Sequence, residues 1–472
     1  IAAETALAVL HRGVGETLPG ARRDAARGRV LRAALEVAVE IEIGRVPEAP
    51  DEGGFADFFE KLFVPYYADP AGRGSIPPGR YFRMLIVGYL EGIDSQRGIA
   101  WRCADSVSLR QFLFLELHED SPDHSSLTRV RNRLPLDVHN QVFEFVLSLA
   151  ERHQLLRGKT VAVDATTLEA NAAMKSIVRR DTGEDWKTYL RRLMQERGLI
   201  EEGHEPTDEE LRRFDKKRKD KKVSNEEWTS PSDPDSRIAK MKDGRTHLAY
   251  KAEHTIDLES EFILDATVYT ADQPDGDTLL VSVTEAQKHL DQAGAEVLIE
   301  EVVADKGYHK NETLADCAEC ELRTYIPEQK RAVHRWFDKP PEEEQAFRAN
   351  RRRIRGARSK RLQRQRSERV ERSFAHVCET GGARRSWLRG LEKINKRYKM
   401  QAAARNLGLL MLRLFGIGKP RSLQGACSPL VAGRLALAAA ETLLPSALRA
   451  FQPFGRRKAI HFALAHQTTL AI

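Results

Sequence analysis

The chain has 472 residues, which is long enough for two or three domains with a substantial core. Its five cysteines are too few for a disulfide framework and no signal peptide is recognisable, so a reducing cytoplasm is expected. No apolar run is long and uninterrupted enough to predict a membrane span. With 76 Lys and Arg against 69 Asp and Glu, the formal net charge is +7, a mild excess that matters only where it is concentrated.

One basic tract holds much of that excess. Between Arg348 and Arg372 there are 12 Lys or Arg in 25 residues, opposed by Glu368 and Glu371 alone. Such a run is typical either of a solvated, partly disordered helix or of a surface that follows a phosphate backbone, because neutralising phosphates releases counterions. The tract leads directly into Glu371, a candidate catalytic acid, and this position favours nucleic-acid binding.

The N-terminal part of the chain predicts helices. A helix is expected over 21–43, but nothing in the first 75 residues indicates a function. An apolar helical run over 81–91 comes next, after which Ser95 is expected to cap a second helix and Ser108 a third.

A short helix that begins after Pro122 carries alternate arginines. Ser125 or Ser126 is expected to cap it. Its apolar stripe consists of Leu127, Val130 and Leu134, and its arginines outside that stripe are Arg129, Arg131 and Arg133. Helix-turn-helix proteins dock a helix of this kind in the major groove, whereas an ordinary surface helix would hold the same arginines in solvent. A longer helix over 136–153 follows.

Two apolar, β-branched runs each lead into an aspartate. The run 160–163 predicts a buried strand that ends on Asp164, and the run 302–304 ends on Asp305 before a glycine turn. Carboxylates where strands leave a sheet lie at the edge that open α/β folds use for chemistry, so the pair suggests one metal site. An aspartate in this place is also a common turn former.

A third acid lies on a predicted helix. Val370, Phe374 and Val377 recur with the spacing of one helix face that packs on an apolar surface, and Glu371 stands beside that face. Glu368, three residues earlier, is the alternative glutamate. The other acids, which are expected to shape turns and helix starts, are Asp265, Asp272 and Asp277.

Between and after the two aspartates, the sequence predicts a regular series of elements. A charged insertion over about 168–246 includes an amphipathic helix near Trp186 and a capping box at Thr207. The elements after it are an antiparallel hairpin (247–256 and 262–270), a helix (277–289), the strand bearing Asp305 (297–304), a helix (311–321) and a strand (322–326).

One pair of cysteines has a spacing that is also found in zinc sites. Cys317 and Cys320 form a single CxxC, with His309 and His334 nearby in the sequence. A zinc site could be drawn from them, but there is no second CxxC and the spacing fits no zinc finger, so structural or incidental cysteines are favoured.

Several stretches, in the same order, resemble the DDE transposases of bacterial insertion sequences. They are VAVDATTLEANA around Asp164, SPSDPDSRIAKMKDGRTHLAYKAEHTID before the next strands, VVADKGYH around Asp305, and RVERSFAHV followed by GGARRSWLRG and KRYKMQAAARNLGLL. The resemblance covers roughly residues 75 to 415. It implies a mixed α/β fold with a ribonuclease-H-like five-stranded mixed sheet flanked by helices.

The resemblance also implies a division into domains. An N-terminal extension of unassigned role (1–75) precedes a helical, helix-turn-helix-like DNA-binding domain (76–155). The ribonuclease-H-like catalytic domain (156–415) contains the charged insertion (168–246) and a basic segment (329–366). A helical C-terminal appendage (416–472) is expected to pack on the core or to mediate self-association.

The activity implied is transposition: binding of double-stranded DNA at the terminal inverted repeats, metal-dependent strand cleavage, and strand transfer into target DNA. A homodimer paired on the DNA ends and a cytoplasmic, nucleoid-associated location are expected. Two Mg²⁺ ions, for which Mn²⁺ can substitute, suit carboxylate ligands and would activate the nucleophile and stabilise the leaving oxygen. The resemblance assigns Asp164 to both ions, Asp305 to one and Glu371 to the other.

Arginines supply the expected DNA contacts: Arg129, Arg131, Arg133, Arg352, Arg353, Arg372 and Arg385. Many insertion-sequence transposases carry a Tyr, an Arg and a Lys at fixed intervals around the third acid, where this chain has Arg364, Ser367 and Cys378. Phosphate-clamping roles are therefore not carried over to those positions. The substitutes suggested by charge and proximity are Arg372, Arg384, Arg385 and Lys393.

Two other functions remain open on the sequence. The altered signature favours an inactive or repurposed relative that only binds DNA, whereas the intact set of three acids opposes it. A ribonuclease-H-like nuclease acting on RNA or DNA would need no specificity for terminal repeats.

Overall fold

The computed structural model describes residues 62–67, 75–201, 203–220, 224–241, 244–329, 336–337 and 339–415. Most of these residues belong to one compact unit, residues 57–410. The helix predicted over 21–43, the appendage 416–472 and His334 lie outside the described residues. No helix among those described is both long and apolar enough to cross a membrane.

In the described part of the chain, five α-helices precede the first strand. They are α1 (Pro78–Glu91), α2 (Gln96–Asp105), α3 (Val107–Phe112), α4 (His124–Arg133) and α5 (Leu136–Arg152). The predicted helices over 81–91 and 136–153 are therefore confirmed. The predicted stripe of α4 is confirmed too, because Leu127, Val130 and Leu134 are all buried. Ser95 caps α2 as predicted, since its hydroxyl accepts a hydrogen bond from the Gly98 amide.

Two caps differ from the prediction. Ser106, not Ser108, accepts the amide hydrogen bond at the start of α3. At the start of α4 the cap is Asp123 rather than Ser125 or Ser126, and its Oδ1 accepts from the Ser126 amide at 2.7 Å. The Ser125 hydroxyl donates to the same carboxylate, so the acid displaces the serines as the capping acceptor.

A six-stranded mixed sheet follows, together with a separate two-stranded ribbon formed by β2 and β3. The strands are β1 (Thr160–Glu169), β2 (Val178–Arg179), β3 (Trp228–Thr229), β4 (Arg237–Lys240), β5 (Thr246–Asp257), β6 (Ile263–Thr270), β7 (Glu301–Val303) and β8 (Arg323–Tyr325). In the sheet, β6, β5 and β1 are neighbouring antiparallel strands, and β7 and β8 continue from β1 in parallel.

The structure confirms the predicted hairpin, which is β5 and β6. It differs from the prediction in the bounds of two strands and in the number of strands in the sheet. The sheet has six strands rather than five, because β4, from within the charged insertion, pairs with the start of β5. The strand predicted over 297–304 is only three residues long. β1 does not end on Asp164 but continues to Glu169, because β5 supplies antiparallel partners along that whole length.

The other described α-helices follow β1 in the chain. They are α6 (Trp186–Glu196), α7 (Asp208–Lys217), α8 (Ser224–Glu227), α9 (Asp275–Gln292), α10 (Asn311–Glu319), α11 (Pro341–Ile354), α12 (Ala357–Phe374) and α13 (Leu391–Phe415). The capping box at Thr207 is confirmed at the start of α7. Over its described residues the chain thus has a mixed α/β architecture.

Consecutive residues of β5 show that α9 and α12 lie on opposite faces of the sheet. Glu253 accepts hydrogen bonds from Thr278 and Ser282 of α9. His254, the next residue, bonds to Ser373 of α12. Because side chains alternate along a strand, the sheet lies between these two helices.

Candidate active site

Asp164 and Asp305 are brought level by the parallel pairing of β1 with β7. Ala162 is the register partner of Val303, and each aspartate lies two residues further along its own chain. Side chains two apart along extended backbone share a face, so the two carboxylates point to the same side at the point where β7 ends. The prediction that Asp305 follows its strand is confirmed, whereas Asp164 lies within β1 rather than at the end of it.

Asp305 is held by the turn that follows β7. Its Oδ1 accepts a hydrogen bond from the Gly307 amide at 2.6 Å, as the cap of a short 3₁₀ helix, Lys306–Tyr308. A Cβ at Gly307 would lie 2.9 Å from Asp305 Oδ1 and 2.9 Å from Asp275 Oδ2. The glycine therefore lets two carboxylates approach the same backbone position.

Asp275 is a site residue that the sequence did not single out. It begins α9, and its Oδ1 lies 3.2 Å from the Lys251 ammonium. Nothing local distinguishes it from Asp272 or Asp277, because an acid in the first turn of a helix is common. Only the packing of α9 against the turn after β7 reveals its place.

Arg366 is the second residue that sequence analysis missed. Its guanidinium donates to Asp164 Oδ2 at 2.5 Å, while the Ala165 amide donates to Oδ1 at 2.8 Å. Both partners of the ion pair are largely buried, with 14% of the arginine and 26% of the aspartate side chain exposed. Arg366 lies within the basic tract, where nothing local distinguishes it from the exposed Arg364.

The electrostatics of Asp164 favour a nearby cation. Burial raises the pKa of Asp164 above its ordinary value, and the negative charge of Asp305 raises that pKa as well. The Arg366 guanidinium and the Ala165 amide act in the opposite direction. Two carboxylates at this edge therefore repel one another, and positive charge between them stabilises both ionised forms.

His254 fixes α12 against the sheet beside these acids. It is the register partner of Asp164 on β5, and it is fully buried. Its Nδ1 lies 2.8 Å from the Ser373 hydroxyl, and its ring stacks on Phe374 at 4.1 Å between centroids. Since the Ser373 hydroxyl donates to a backbone carbonyl of α12, we assign the imidazole proton to Nδ1.

The other imidazole nitrogen completes this contact. The Tyr398 hydroxyl of α13 lies 2.8 Å from Nε2 and is the donor for this tautomer. Val370, Phe374 and Val377 are buried, so the predicted apolar face of the helix is confirmed.

Glu371 is exposed on α12. At ~100° per residue it projects from a different flank of the helix than Arg372, which contacts Glu261 in the β5–β6 turn. That turn lies at the N-terminal end of β1, where Asp257 pairs with Val161. Among the described residues, Glu371 is not grouped with Asp164 and Asp305 as a set of three ligands. Glu368 is exposed as well and pairs with Arg372.

The other rival acids have structural partners. Lys399 and His289 hold the pKa of Asp265 below its ordinary value despite complete burial, with Lys399 Nζ 2.7 Å from its Oδ1. Asp272 pairs with Arg237 and Asp277 with Lys310, at 3.0 Å in each case. Asp272 lies in the turn after β6 and Asp277 in the first turn of α9, as predicted. The prediction was wrong for Asp265, which is buried within β6.

Within the described part of the chain, no three His, Cys, Asp or Glu side chains are placed together as a ready metal site. Asp164 and Asp305 nonetheless offer only oxygen donors at an edge that favours positive charge. That donor set suits Mg²⁺ or Mn²⁺ better than metals that prefer thiolate or imidazole. The residues present fit the expected ions, with Arg366 on one of the Asp164 oxygens.

The candidate DNA-binding arginines fall into two groups. Arg129, Arg352, Arg372 and Arg385 are exposed, as is Arg133, which lies over the Tyr67 ring. Arg131, in contrast, is only 7% exposed, and burial lowers its pKa.

Arg353 also has a structural partner, because its guanidinium donates to both oxygens of Thr324 in β8. The expectation that Arg131 contacts DNA conflicts with its burial, and Arg353 is occupied in holding the sheet edge.

Two family models match the chain. Residues 53–133 match a transposase domain (DUF772), and residues 296–411 match a transposase DDE domain. The class of protein is therefore a transposase, and the second match spans both Asp305 and Glu371. Both matches support a DDE transposase of the insertion-sequence type. No curated protein and no solved structure matches it.

Proposed function

We propose that this transposase binds the ends of an insertion sequence and catalyses metal-dependent strand cleavage and strand transfer on a ribonuclease-H-like core. The observation that carries the proposal is the level placement of Asp164, on β1, and Asp305, two residues after the parallel strand β7. The strand order β6, β5, β1, β7, β8 supports the ribonuclease-H-like assignment, as three antiparallel strands are extended by two parallel ones.

The acids divide the work as follows. Asp164 and Asp305 would hold two Mg²⁺ ions together with Glu371 of α12. Such ions, when bound, activate an oxygen nucleophile and neutralise charge on the leaving oxygen. Arg366 neutralises Asp164 in the metal-free protein, and its guanidinium would have to leave Oδ2 if that oxygen held a metal ion. A guanidinium freed in this way would be available to a phosphate at the same edge.

Double-stranded DNA is the proposed partner. Exposed arginines on α4, on the basic tract and after α12 supply phosphate contacts: Arg129, Arg133, Arg352, Arg372 and Arg385. Recognition of terminal repeats is assigned to the helices around α4, and a homodimer would hold the two ends together. The site of action is then the nucleoid.

Cleavage of a supercoiled plasmid that carries the ends of the source element tests the proposal. The protein is assayed with Mg²⁺ and with EDTA, alongside Asp164→Ala, Asp305→Ala and Glu371→Ala. Glu368→Ala and Asp272→Ala are matched controls. Glu368 lies three residues before Glu371, Asp272 lies three residues before Asp275, and each pairs with an arginine. We expect metal-dependent cutting at the ends, abolished by the first three changes with DNA binding retained.

Each other result has a definite meaning. End binding without cutting by the unchanged protein would indicate a relative that only binds DNA. Cutting without preference for the ends would indicate a nuclease. Activity that survives Glu371→Ala but not Glu368→Ala would assign the third acid to Glu368.

A further inference from the structure

The loop GGARRSWLRG, residues 381–390, lies beside the outer end of β1. It contains three arginines and no acid. The Glu169 amide donates to the carbonyl of Arg384, and the Ser386 amide donates to the carbonyl of Glu169, each at 2.9 Å. The loop thus pairs, through its backbone, with the last residue of the strand that bears Asp164.

Side chains from distant segments fix this loop at both ends. Arg384 donates to the Thr166 hydroxyl of β1 at 3.0 Å. At the other end, Asp233 Oδ1 accepts from the Gly390 amide, and Asp235 Oδ2 accepts from the Leu391 amide, each at 2.9 Å. The motif SPSDPD therefore orients the loop as well as the start of α13.

Trp387 stands out on this loop, because 47% of a large aromatic side chain is left exposed. Its indole Nε1 donates to Asp94 Oδ2 at 2.7 Å, and the Arg385 guanidinium lies 4.9 Å from the ring centroid. An indole held at its nitrogen and covered on one side by a guanidinium has little freedom to move. Because the ring is already held in place, little conformational entropy is lost when a flat ligand stacks on it.

The distance from the acids suits DNA. Glu169, next to the loop, lies five residues beyond Asp164 on β1, which corresponds to about 17 Å of strand. A DNA strand with its scissile phosphate at Asp164 would reach Trp387 within a few nucleotides. Arg384, bonded to Thr166, lies along this path.

We propose that Trp387, backed by Arg385, is a stacking platform for an unpaired base of the DNA strand that passes Asp164. The proposal rests on the proposed function, because it assumes DNA at that edge. Aromatic rings stack on any base, and an arginine beneath the ring adds a cation–π contribution. A platform at this place would bind a DNA end whose terminal bases are unpaired more tightly than a fully paired end.

A structural role for Trp387 makes a different prediction. Its bond to Asp94, which follows α1, could simply tie the N-terminal helices to β1. In that case the indole nitrogen is the important group. In the proposed platform the important group is the ring face, so Trp387→Phe and Trp387→Leu separate the two roles.

The test uses binding without catalysis. The full chain, in EDTA, is titrated into a duplex with a short single-stranded extension containing 2-aminopurine, and into the same duplex with a blunt end. We expect quenching of 2-aminopurine with the unchanged protein, with Trp387→Phe and with Asp94→Ala. We expect Trp387→Leu to lose the quenching and about tenfold in affinity for the extended DNA, with blunt-end binding unchanged. Circular dichroism checks that each variant is folded.

Several results would overturn the platform. If Trp387→Phe and Asp94→Ala lose as much affinity as Trp387→Leu, the residue is a structural tie. Equal losses on extended and blunt DNA would also contradict base stacking. If the unchanged protein binds neither DNA, both this inference and the proposed function fail. If plasmid ends are cut normally and Trp387→Leu changes neither quenching nor affinity, only the platform fails.

Discussion

Gly307 allows the carboxylates of Asp305 and Asp275 to approach the same backbone position. Its replacement by alanine would place a methyl group 2.9 Å from an oxygen of each acid. We expect Gly307→Ala to displace Asp305 and to lower end cleavage by about tenfold to a hundredfold, since displacements of about 1 Å at a reacting centre cost that much. The plasmid cleavage assay measures the effect.

A matched glycine serves as the control for that change. Gly79, in the first turn of α1, has no atom within 4 Å of an added Cβ, so Gly79→Ala should leave cleavage unchanged. Full activity of Gly307→Ala would show that Asp305 tolerates the displacement or is not a ligand.

Arg366 neutralises a carboxylate that is mostly buried. We expect Arg366→Gln to destabilise the metal-free protein by about 1 to 3 kcal/mol, because it leaves Asp164 charged and unpaired beside Asp305. Added Mg²⁺ should recover much of this loss, since a bound cation replaces the missing charge. Urea denaturation with and without Mg²⁺ gives the measurement.

Arg364→Gln is the control for Arg366, because it removes an exposed arginine from the same helix. Its free energy of unfolding should change little in either condition. Equal stability of the two variants without Mg²⁺ would mean that the ion pair of Arg366 with Asp164 contributes nothing.

At the scale of elements, His254 decides how α12 sits on the sheet. Burial lowers the pKa of His254 to about 3, from an ordinary value of 6.5. Between these values the unfolded chain holds a proton that the folded protein does not bind. Stability therefore falls as the pH falls from about 6.5 towards 3, by about 1.4 kcal/mol per pH unit from this residue.

We expect His254→Gln to have a shallower pH dependence of unfolding over that range, by the contribution of one proton. His139 offers a comparison: burial lowers its pKa to about 4, so His139→Gln should remove a similar slope only down to that pH. Urea denaturation at a series of pH values measures both. An unchanged slope for His254→Gln would show that the histidine is not buried as a neutral ring.

At the scale of the whole molecule, neighbouring arginines of α11 are expected to do different work. Arg352 is exposed, whereas Arg353 bonds to Thr324 of β8. We expect Arg352→Ala to reduce the slope of log binding constant against log salt concentration by about one, the value for one phosphate contact. Its stability should not fall. Arg353→Ala should lower stability by about 1 to 3 kcal/mol, because it leaves groups of β8 without their partner.

Binding titrations at several salt concentrations, with urea denaturation of the same variants, test this pair. A salt slope unchanged in Arg352→Ala would remove that residue from the DNA-binding surface. A stability unchanged in Arg353→Ala would show that solvent replaces its contacts with Thr324.

Local features of the sequence predicted the helices and strands well, but they predicted poorly which side chains contact one another. The hairpin of β5 and β6, the helices around it and the capping box at Thr207 follow from alternation, apolar spacing and turn residues within one stretch. The predicted cap of α4 was wrong, because the carboxylate of Asp123, two residues before Ser125, accepts the Ser126 amide hydrogen bond. Arg131 was expected to be exposed, yet it is buried, because α13 packs nearby and Lys396 donates to its carbonyl.

The sequence by itself determined the order of the elements, the apolar strands and the acids that end or follow them, because each depends on residues a few positions apart. Tertiary structure alone decided that Asp164 lies level with Asp305, that Arg366 neutralises it, and that Trp387 stands exposed beyond the end of β1. These contacts join residues separated by more than a hundred positions, and they depend on strand register and helix packing, which no local pattern encodes.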